Sequence, residues 1–254
     1  MKIKFLGTGT SHGVPLIACT CKTCSSDNPK NTRYRTSVFL EVENTHILID
    51  TPPEFRLRAL EYGIEKIDTV LFTHAHSDHC SGLDDIRRFN EIQKASIPIY
   101  GNSESLIDLR KRFQYIFEQT QEGGGKPKIT LSLIQNEQEF YLGSLAILPL
   151  TVLHGTIPVT AFRIQNFAYM TDVSEIPDSV FPLLKGLEIL VLDALRTEPH
   201  PTHFNLSQAI EAAMKIGAKK TYFTHISHRL EHEETEKNLP DGMFMAYDGL
   251  ELEI

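Results

Sequence analysis

No window of this 254-residue chain holds enough consecutive apolar residues to span a membrane. The opening Met1-Lys-Ile-Lys-Phe-Leu-Gly-Thr-Gly-Thr10 is not a signal peptide, because its apolar stretch is short and runs into glycine. Basic residues are in deficit, 25 Lys and Arg against 33 Asp and Glu, for a formal net charge of -8. That argues against a broad nucleic-acid-binding surface, which needs a basic patch. It leaves room for a small phosphate substrate, because bound metals supply local positive charge. Cysteine is scarce, with 4 in the chain. In a cytosolic protein so few are metal ligands or reduced thiols rather than a disulfide framework. No proline-rich or charged linker divides the sequence. These absences predict a cytoplasmic single domain over residues 1–254, large enough to bury its own core.

The order of apolar runs predicts two similar halves. Residues 2–6 read as a strand, and an irregular loop follows from Gly7 to Tyr34. A hairpin from Val38 to Asp50 ends in aspartate and leads to a helix from Pro53 to Tyr62 and a buried strand from Asp68 to Thr73. Helices are predicted over Gly82–Gln93 and Ser105–Glu118. The second has Leu106, Leu109, Phe113 and Phe117 on one face, which suits either the core or a second copy of the chain in a homodimer. A glycine-containing connection runs from Gln119 to Lys128. The second half repeats the pattern: a hairpin from Ala161 to Asp172, a helix from Ile176 to Lys185, and a strand from Glu188 to Asp193. A loop containing His200 and His203, a helix from Leu206 to Ile216 and a strand from Lys219 to Phe223 complete it. Two β-rich halves flanked by helices predict an α/β fold with two sheets face to face and helices outside.

The chemistry is concentrated after the strand at 68–73. His74-Ala-His76-Ser-Asp78-His79 places four metal-capable side chains within six residues. His74 and His76 alternate and can point the same way from an extended backbone. Asp78 and His79 follow where the chain turns and can aim at a second point. Imidazole and carboxylate suit zinc, iron or manganese. His154, Asp172 and His225 each lie just beyond strand-like segments, where α/β proteins place their ligands.

In this order the set resembles the ligand motifs of the metallo-β-lactamase superfamily, over nearly the whole chain. The resemblance implies a four-layer αββα sandwich with pseudo-twofold halves. It assigns His74, His76 and His154 to one metal ion and Asp78, His79 and His225 to another, with Asp172 bridging. Asp50 matches the carboxylate that supports the metal loop. Two divalent ions about 3.5–4 Å apart would lower the pKa of a shared water and polarise the oxygen under attack. Zinc and manganese both remain open.

Cys19-Thr-Cys21-Lys-Thr-Cys24 supplies three thiolates in six residues, and His228 lies three residues beyond His225. Three cysteines and one histidine make a closed tetrahedral site for a structural zinc, tying the loop at about 7–34 to the His225 loop. Cys80 reads as a buried small apolar residue.

Gly7-Thr-Gly-Thr-Ser-His-Gly-Val-Pro15, the cysteine motif, Gly82-Leu-Asp-Asp-Ile-Arg87 and His200-Pro-Thr-His203 together look like the PhnP branch. Its members include the phosphoribosyl 1,2-cyclic phosphate phosphodiesterase of carbon–phosphorus lyase pathways. The resemblance places His203 near the scissile phosphate, to stabilise developing charge or protonate the leaving oxygen. Asp78 and His203 are thus the expected catalytic pair. His12 is expected to face the site, and His46, His200 and His232 to lie at the surface. The expected activity is hydrolysis of a small cyclic or activated phosphodiester. The alternatives are an RNA-processing nuclease, a thioester or lactone hydrolase, and a non-hydrolytic protein similar to the coenzyme PQQ biosynthesis B protein.

Overall fold

The structure, a computed structural model, describes residues 1–119 and 125–254. Its strands form two seven-stranded sheets. The first contains β1 (Lys2–Gly7), β2 (Ser37–Val42), β3 (Thr45–Ile49), β4 (Thr69–Leu71), β5 (Ile97–Gly101) and β6 (Ile129–Leu133). The second contains β7 (Phe140–Leu142), β8 (Leu145–His154), β9 (Ile157–Ile164), β10 (Phe167–Met170), β11 (Ile189–Asp193), β12 (Lys220–Thr224) and β13 (Met243–Met245). The last strand, β14 (Glu251–Glu253), returns to the first sheet beside β1.

The two sheets have the same plan. The order β14-β1-β2-β3-β4-β5-β6 matches β7-β8-β9-β10-β11-β12-β13 strand for strand. In each, antiparallel pairing reaches the fourth strand and parallel pairing follows. β3 therefore corresponds to β10, and Asp50 to Asp172.

Central strands are buried on both faces, so they read as continuous apolar runs rather than alternations. Ile47 and Ile49 of β3 meet Phe167 and Tyr169 of β10 in the core between the sheets. Leu48 faces the outer layer of the first half, and Ala168 and Met170 that of the second. The outer layer of the first half is α1 (Phe55–Glu61), α2 (Ser77–Cys80), α3 (Ile86–Gln93), α4 (Ser103–Arg112) and α5 (Gln114–Phe117). That of the second centres on α6 (Leu206–Ile216), which buries Ala209, Ala212, Ala213 and Ile216. α6 starts in a capping box between Asn205 and Gln208 and stops at Gly217, whose φ of 73° only a residue without a Cβ adopts freely. α7 (His232–Glu236) packs near the C-terminal strands. These layers make the αββα sandwich that the two-halves pattern predicts.

Three local expectations are corrected. The helix expected over Ile176–Lys185 is only a 3-10 turn at Phe181–Leu184, because Pro177 and Pro182 cannot donate to a helical ladder. The helix expected over Ser105–Glu118 begins earlier, capped by Asn102, and breaks at Phe113, whose ψ is 39°. His232, expected at the surface, is buried, and its Nδ1 accepts from Arg33 Nη2 at 3.1 Å. The connection at Gln119–Lys128 lies in part outside the described residues.

Candidate metal centre

β4 delivers the chain straight into the histidine loop, and α2 turns it back within one helical turn. Gly82 makes that return feasible: a Cβ there would lie 2.3 Å from the Pro52 carbonyl oxygen. The loop is braced by Asp50. Its Oδ1 accepts from the Thr73 amide at 2.9 Å, and its Oδ2 accepts from Thr73 Oγ1 and from His79 Nδ1, both at 2.7 Å.

The fold gathers the seven residues from both halves. Ligand atoms of His74, His76 and His154 all lie within 4.8 Å of one another, and so do those of Asp78, His79, Asp172 and His225. Asp172 stands between the groups. Its Oδ2 is 3.2 Å from His79 Nε2, while its Oδ1 is 3.4 Å from His225 Nε2 and 3.9 Å from His74 Nε2.

The outward nitrogens of three of these rings are already engaged, whereas among the described residues His225 Nδ1 is buried without a hydrogen-bond partner. His74 Nδ1 faces Thr73 Oγ1 at 3.0 Å, His79 Nδ1 faces Asp50, and His154 Nδ1 donates to the Thr202 carbonyl at 2.7 Å. Among the described residues, Nε2 of His74, His79 and His225 is buried without a hydrogen-bond partner. Orphaned buried nitrogens are costly unless something absent from the polypeptide satisfies them. Inward Nε2 atoms with Nδ1 held by oxygen are the arrangement of imidazoles that ligate metal.

Electrostatics agree. Burial alone would raise Asp78 and Asp172, but the neighbouring imidazoles hold both carboxyls well below the ordinary range, His79 chief among them for Asp78 and His225 for Asp172. Burial opposes charge on His79 and His225 too, yet the aspartates win. Asp172, Asp78 and Asp50 raise His79, and His225 is pushed up to about 9, mainly by Asp172. Burial lowers His74, His76 and His154. The cluster is a set of carboxylates that demands compensating positive charge.

The second cluster is separate. Ligand atoms of Cys19, Cys21, Cys24 and His228 lie within 4.8 Å of one another, with His228 Nδ1 at 3.4 Å from Cys19 Sγ and 3.3 Å from Cys21 Sγ. Backbone amides approach the sulfurs: Leu16 N to Cys24 at 3.4 Å and Cys24 N to Cys21 at 3.5 Å. The Cys24 amide leads in pulling the Cys21 thiol down to about 6, toward the thiolate that zinc requires, while burial pushes the Cys24 thiol up to about 11. Below this cluster, the Ile226 amide donates to Thr8 O at 2.9 Å, and Thr10 donates to Ile226 O at 3.1 Å. The N-terminal loop and the His225 loop are thus one unit. Gly7 lets the N-terminal segment pack on itself, since a Cβ there would lie 2.0 Å from Arg35 O.

A family model described as a beta-lactamase superfamily domain matches residues 45–226, from β3 to the residue after His225. The chain belongs to the metallo-β-lactamase superfamily, in its PhnP-like part. A solved diphosphatase from the PhnP family is similar to it at 43% identity and a TM-score of 0.92, over 99% of this chain and 96% of that one. An octanoyltransferase of Porphyromonas gingivalis is 34% identical over 99% of this chain and 51% of its own length. A ribonuclease Z of Methanopyrus kandleri is 27% identical over 54% of this chain and 46% of its own. The chain spans about half the length of these curated relatives. The fold of the superfamily implies divalent ions at such His/Asp clusters.

His203 stands at the edge of this metallo-β-lactamase centre. Its ring centroid is 4.5 Å from that of His154 and 4.7 Å from that of His225, on which it stacks. Its Nδ1 donates to Asp193 Oδ2 at 2.8 Å. Asp193 is fully buried, and the same oxygen accepts from the Val173 amide at 2.8 Å. Its other oxygen lies 3.8 Å from His225 Nδ1. Asp193 was not singled out in the sequence, where it reads as the last residue of a strand. Its signal is that strand's position in the second half: β11 corresponds to β4, and both strands deliver the chain into a histidine-bearing loop.

The remaining histidines differ from one another. His200, expected at the surface, is half-buried with its ring 5.2 Å from that of His203. His46 is half-buried, 3.0 Å from Asp68 Oδ2. His12 is exposed. Cys80 is buried in the outer core of the first half.

Proposed function

We propose that this chain is a dinuclear phosphodiesterase acting on a small cyclic or activated phosphodiester. His74, His76 and His154 would hold one divalent ion. Asp78, His79 and His225 would hold a second, with Asp172 between them. Zinc or manganese suits the donor set, and the thiolate cluster suits a structural zinc. The ions would supply an acidified water and charge stabilisation at the phosphoryl oxygens.

The observation that carries the reading is the Asp193–His203 pair. His203 is buried against two candidate ligand histidines, and Asp193 engages Nδ1 at 2.8 Å, leaving the other nitrogen for the reacting group. A buried imidazole so held can protonate a departing alkoxide or stabilise the charge growing on it. A phosphodiester needs that help at its leaving oxygen. Likeness to a PhnP-family diphosphatase over nearly the whole chain supports phosphate chemistry. The acidic balance of the chain favours a small substrate over RNA. Acyl transfer, for which the Porphyromonas protein is named, is not part of this reading.

The test is hydrolysis of bis(p-nitrophenyl) phosphate by metal-stripped protein with zinc, manganese or no addition. Turnover is expected only with metal, and on a phosphodiester with an alkyl leaving group, whose alkoxide must be protonated, His203→Ala is expected to lower kcat by about 10²–10⁴-fold. Cleavage of thioesters or lactones, with no phosphodiester cleaved under any metal, would replace this reading with the acyl hydrolase one.

A further inference from the structure

His225 sits on a turn that a histidine does not favour. Its backbone is left-handed, at φ 58°, and a residue other than glycine keeps that conformation only where its surroundings fix it. Four backbone hydrogen bonds do so here. Before His225, the Phe223 carbonyl accepts from the Ala246 amide at 2.9 Å, and the Thr224 carbonyl accepts from the Ala194 amide at 3.0 Å. After it, the Ile226 amide donates to Thr8 O at 2.9 Å, and Ile226 O accepts from the Thr10 amide at 3.1 Å.

Two of the residues that make these bonds meet at one nitrogen. Arg33 Nη1 donates to Thr8 Oγ1 at 2.8 Å and to Ala246 O at 2.6 Å. Both of its protons are thereby engaged, one by the segment that holds the chain after His225 and one by the segment that holds it before. Nη2 donates to His232 Nδ1 at 3.1 Å. Burial, aided by the charge of Arg33, lowers His232 to about 4, so its ring is neutral and can accept.

Arg33 is 1% exposed, and a buried cation needs compensation. It comes through Thr8, whose Oγ1 donates to Asp248 Oδ1 at 2.7 Å, while the Tyr34 amide donates to Asp248 Oδ2 at 2.7 Å. Among the described residues, Arg33 makes no hydrogen bond to any candidate metal ligand. The cation is built into the support of His225 and not into the ligand cluster.

We propose that Arg33 is a positioning residue for His225, and through it for the ion that Asp78, His79 and His225 would hold. This rests on the two-ion reading of the cluster. The planar guanidinium reaches three acceptors in fixed directions, which the single ammonium of a lysine does not reproduce. The effect is one-sided, because His74, His76 and His154 stand on the loop after β4 and at the end of β8, which Arg33 does not bond.

The experiment loads metal-stripped protein with cadmium-113 and follows each site by its own resonance, with affinities from competition against a chromogenic chelator. Three sites are expected in the unaltered chain: thiolate, three-histidine, and mixed carboxylate and histidine. In Arg33→Lys, affinity at the mixed site should fall about tenfold, with the other two little changed. In a His225→Ala background, Arg33→Lys should cause no further loss, since the ring it positions is gone. Should Arg33→Lys fail to fold, Arg33→Met with Asp248→Asn removes both charges together, and the same selective loss is expected. Unchanged affinity at the mixed site would overturn the proposal. So would a loss shared by all three sites in step with a lower Tm, which would make Arg33 a support of the whole fold. A further loss in the His225→Ala background would overturn it as well. If the unaltered chain shows no separate mixed site, the two-ion reading itself falls. The brace is then decided by the nitrogen-15 resonances of the His225 ring: movement in Arg33→Lys sustains it, and unmoved resonances remove it.

Discussion

Asp50 and Asp172 stand at opposite nitrogens of one imidazole, and only Asp50 is hydrogen-bonded to it. Asp50 Oδ2 is 2.7 Å from His79 Nδ1, and Asp172 Oδ2 is 3.2 Å from His79 Nε2. The two aspartates close the equivalent strands β3 and β10, and both adopt left-handed backbone, at φ 62° and 58°. Aspartate tolerates that conformation better than most residues, at a cost of about 1–3 kcal/mol. The duplicated plan thus gives one carboxylate to hold the loop and its counterpart to stand between the two groups of candidate ligands.

Asp50 makes its contribution through His79 and Thr73, not by ligation. Asp50→Asn keeps the shape but removes the charge that fixes the His79 ring. Affinity for the active-site ions should fall by about 10–100-fold, measured by competition with a chromogenic chelator. Metal bound at the Cys19, Cys21, Cys24 and His228 cluster, where the proposal puts a zinc, should be retained. Unchanged affinity for all ions would show that Asp50 does not act through His79.

The raised basicity of His225 sets a pH dependence with a definite sign. Its folded value of about 9 lies above the unfolded value of about 6.5. Before metal is added, its pairing with Asp172 and Asp78 stabilises the fold fully below about pH 6.5. That contribution is lost as pH rises through about 9. Metal-stripped protein should therefore melt at progressively lower temperature from pH 6.5 to 9. Metal needs the neutral ring, so loading must expel the proton, and affinity should rise with pH over the same window. Melting scans and zinc titrations in buffers of different ionisation enthalpy read both effects. A flat melting profile with no proton release would show that His225 is neutral before metal arrives.

The parts that follow a local rule were legible in the sequence. Strand, loop and ligand spacing announce His74 to His79, because a parallel strand delivers its loop to the site. Asn205 and Gly217 announce the ends of α6. The parts that depend on distant neighbours were not. His232 has the composition of a surface residue, and only the buried guanidinium of Arg33, some 200 residues away, makes a place for it inside. Asp193 looks like a strand end until His203 comes round to meet it. The 176–185 segment has helical apolar spacing, but its two prolines decide otherwise.

The thiolate cluster makes a prediction through the backbone below it. Cys19→Ser should reduce bound zinc by about one ion per chain and lower Tm by on the order of 10 °C, as loss of a few kcal/mol does in a domain of this size. Because Ile226 is bonded to Thr8 and Thr10, the loosened loop carries His225 with it. Turnover should therefore fall although Cys19 is not placed at the metal centre. Metal content by elemental analysis, with melting and turnover on the same sample, tests all three. A full metal complement in Cys19→Ser would mean that the cluster holds no zinc.

Asp193 offers the sharpest separation of roles. One oxygen fixes His203, and the other lies 3.8 Å from His225 Nδ1, close enough that a shift of about 1 Å would complete a hydrogen bond. It is a positioning residue, so its loss should resemble a partial loss of His203. Asp193→Asn should lower kcat by about 10–100-fold with a smaller change in KM, because the proton transfer depends on orientation and tautomer. In Asp193→Asn/His203→Ala the two losses should not multiply, since removing His203 removes what Asp193 holds. Fully additive losses would show that Asp193 acts through His225 alone. Weaker active-site metal binding in Asp193→Asn would locate that action at the ion.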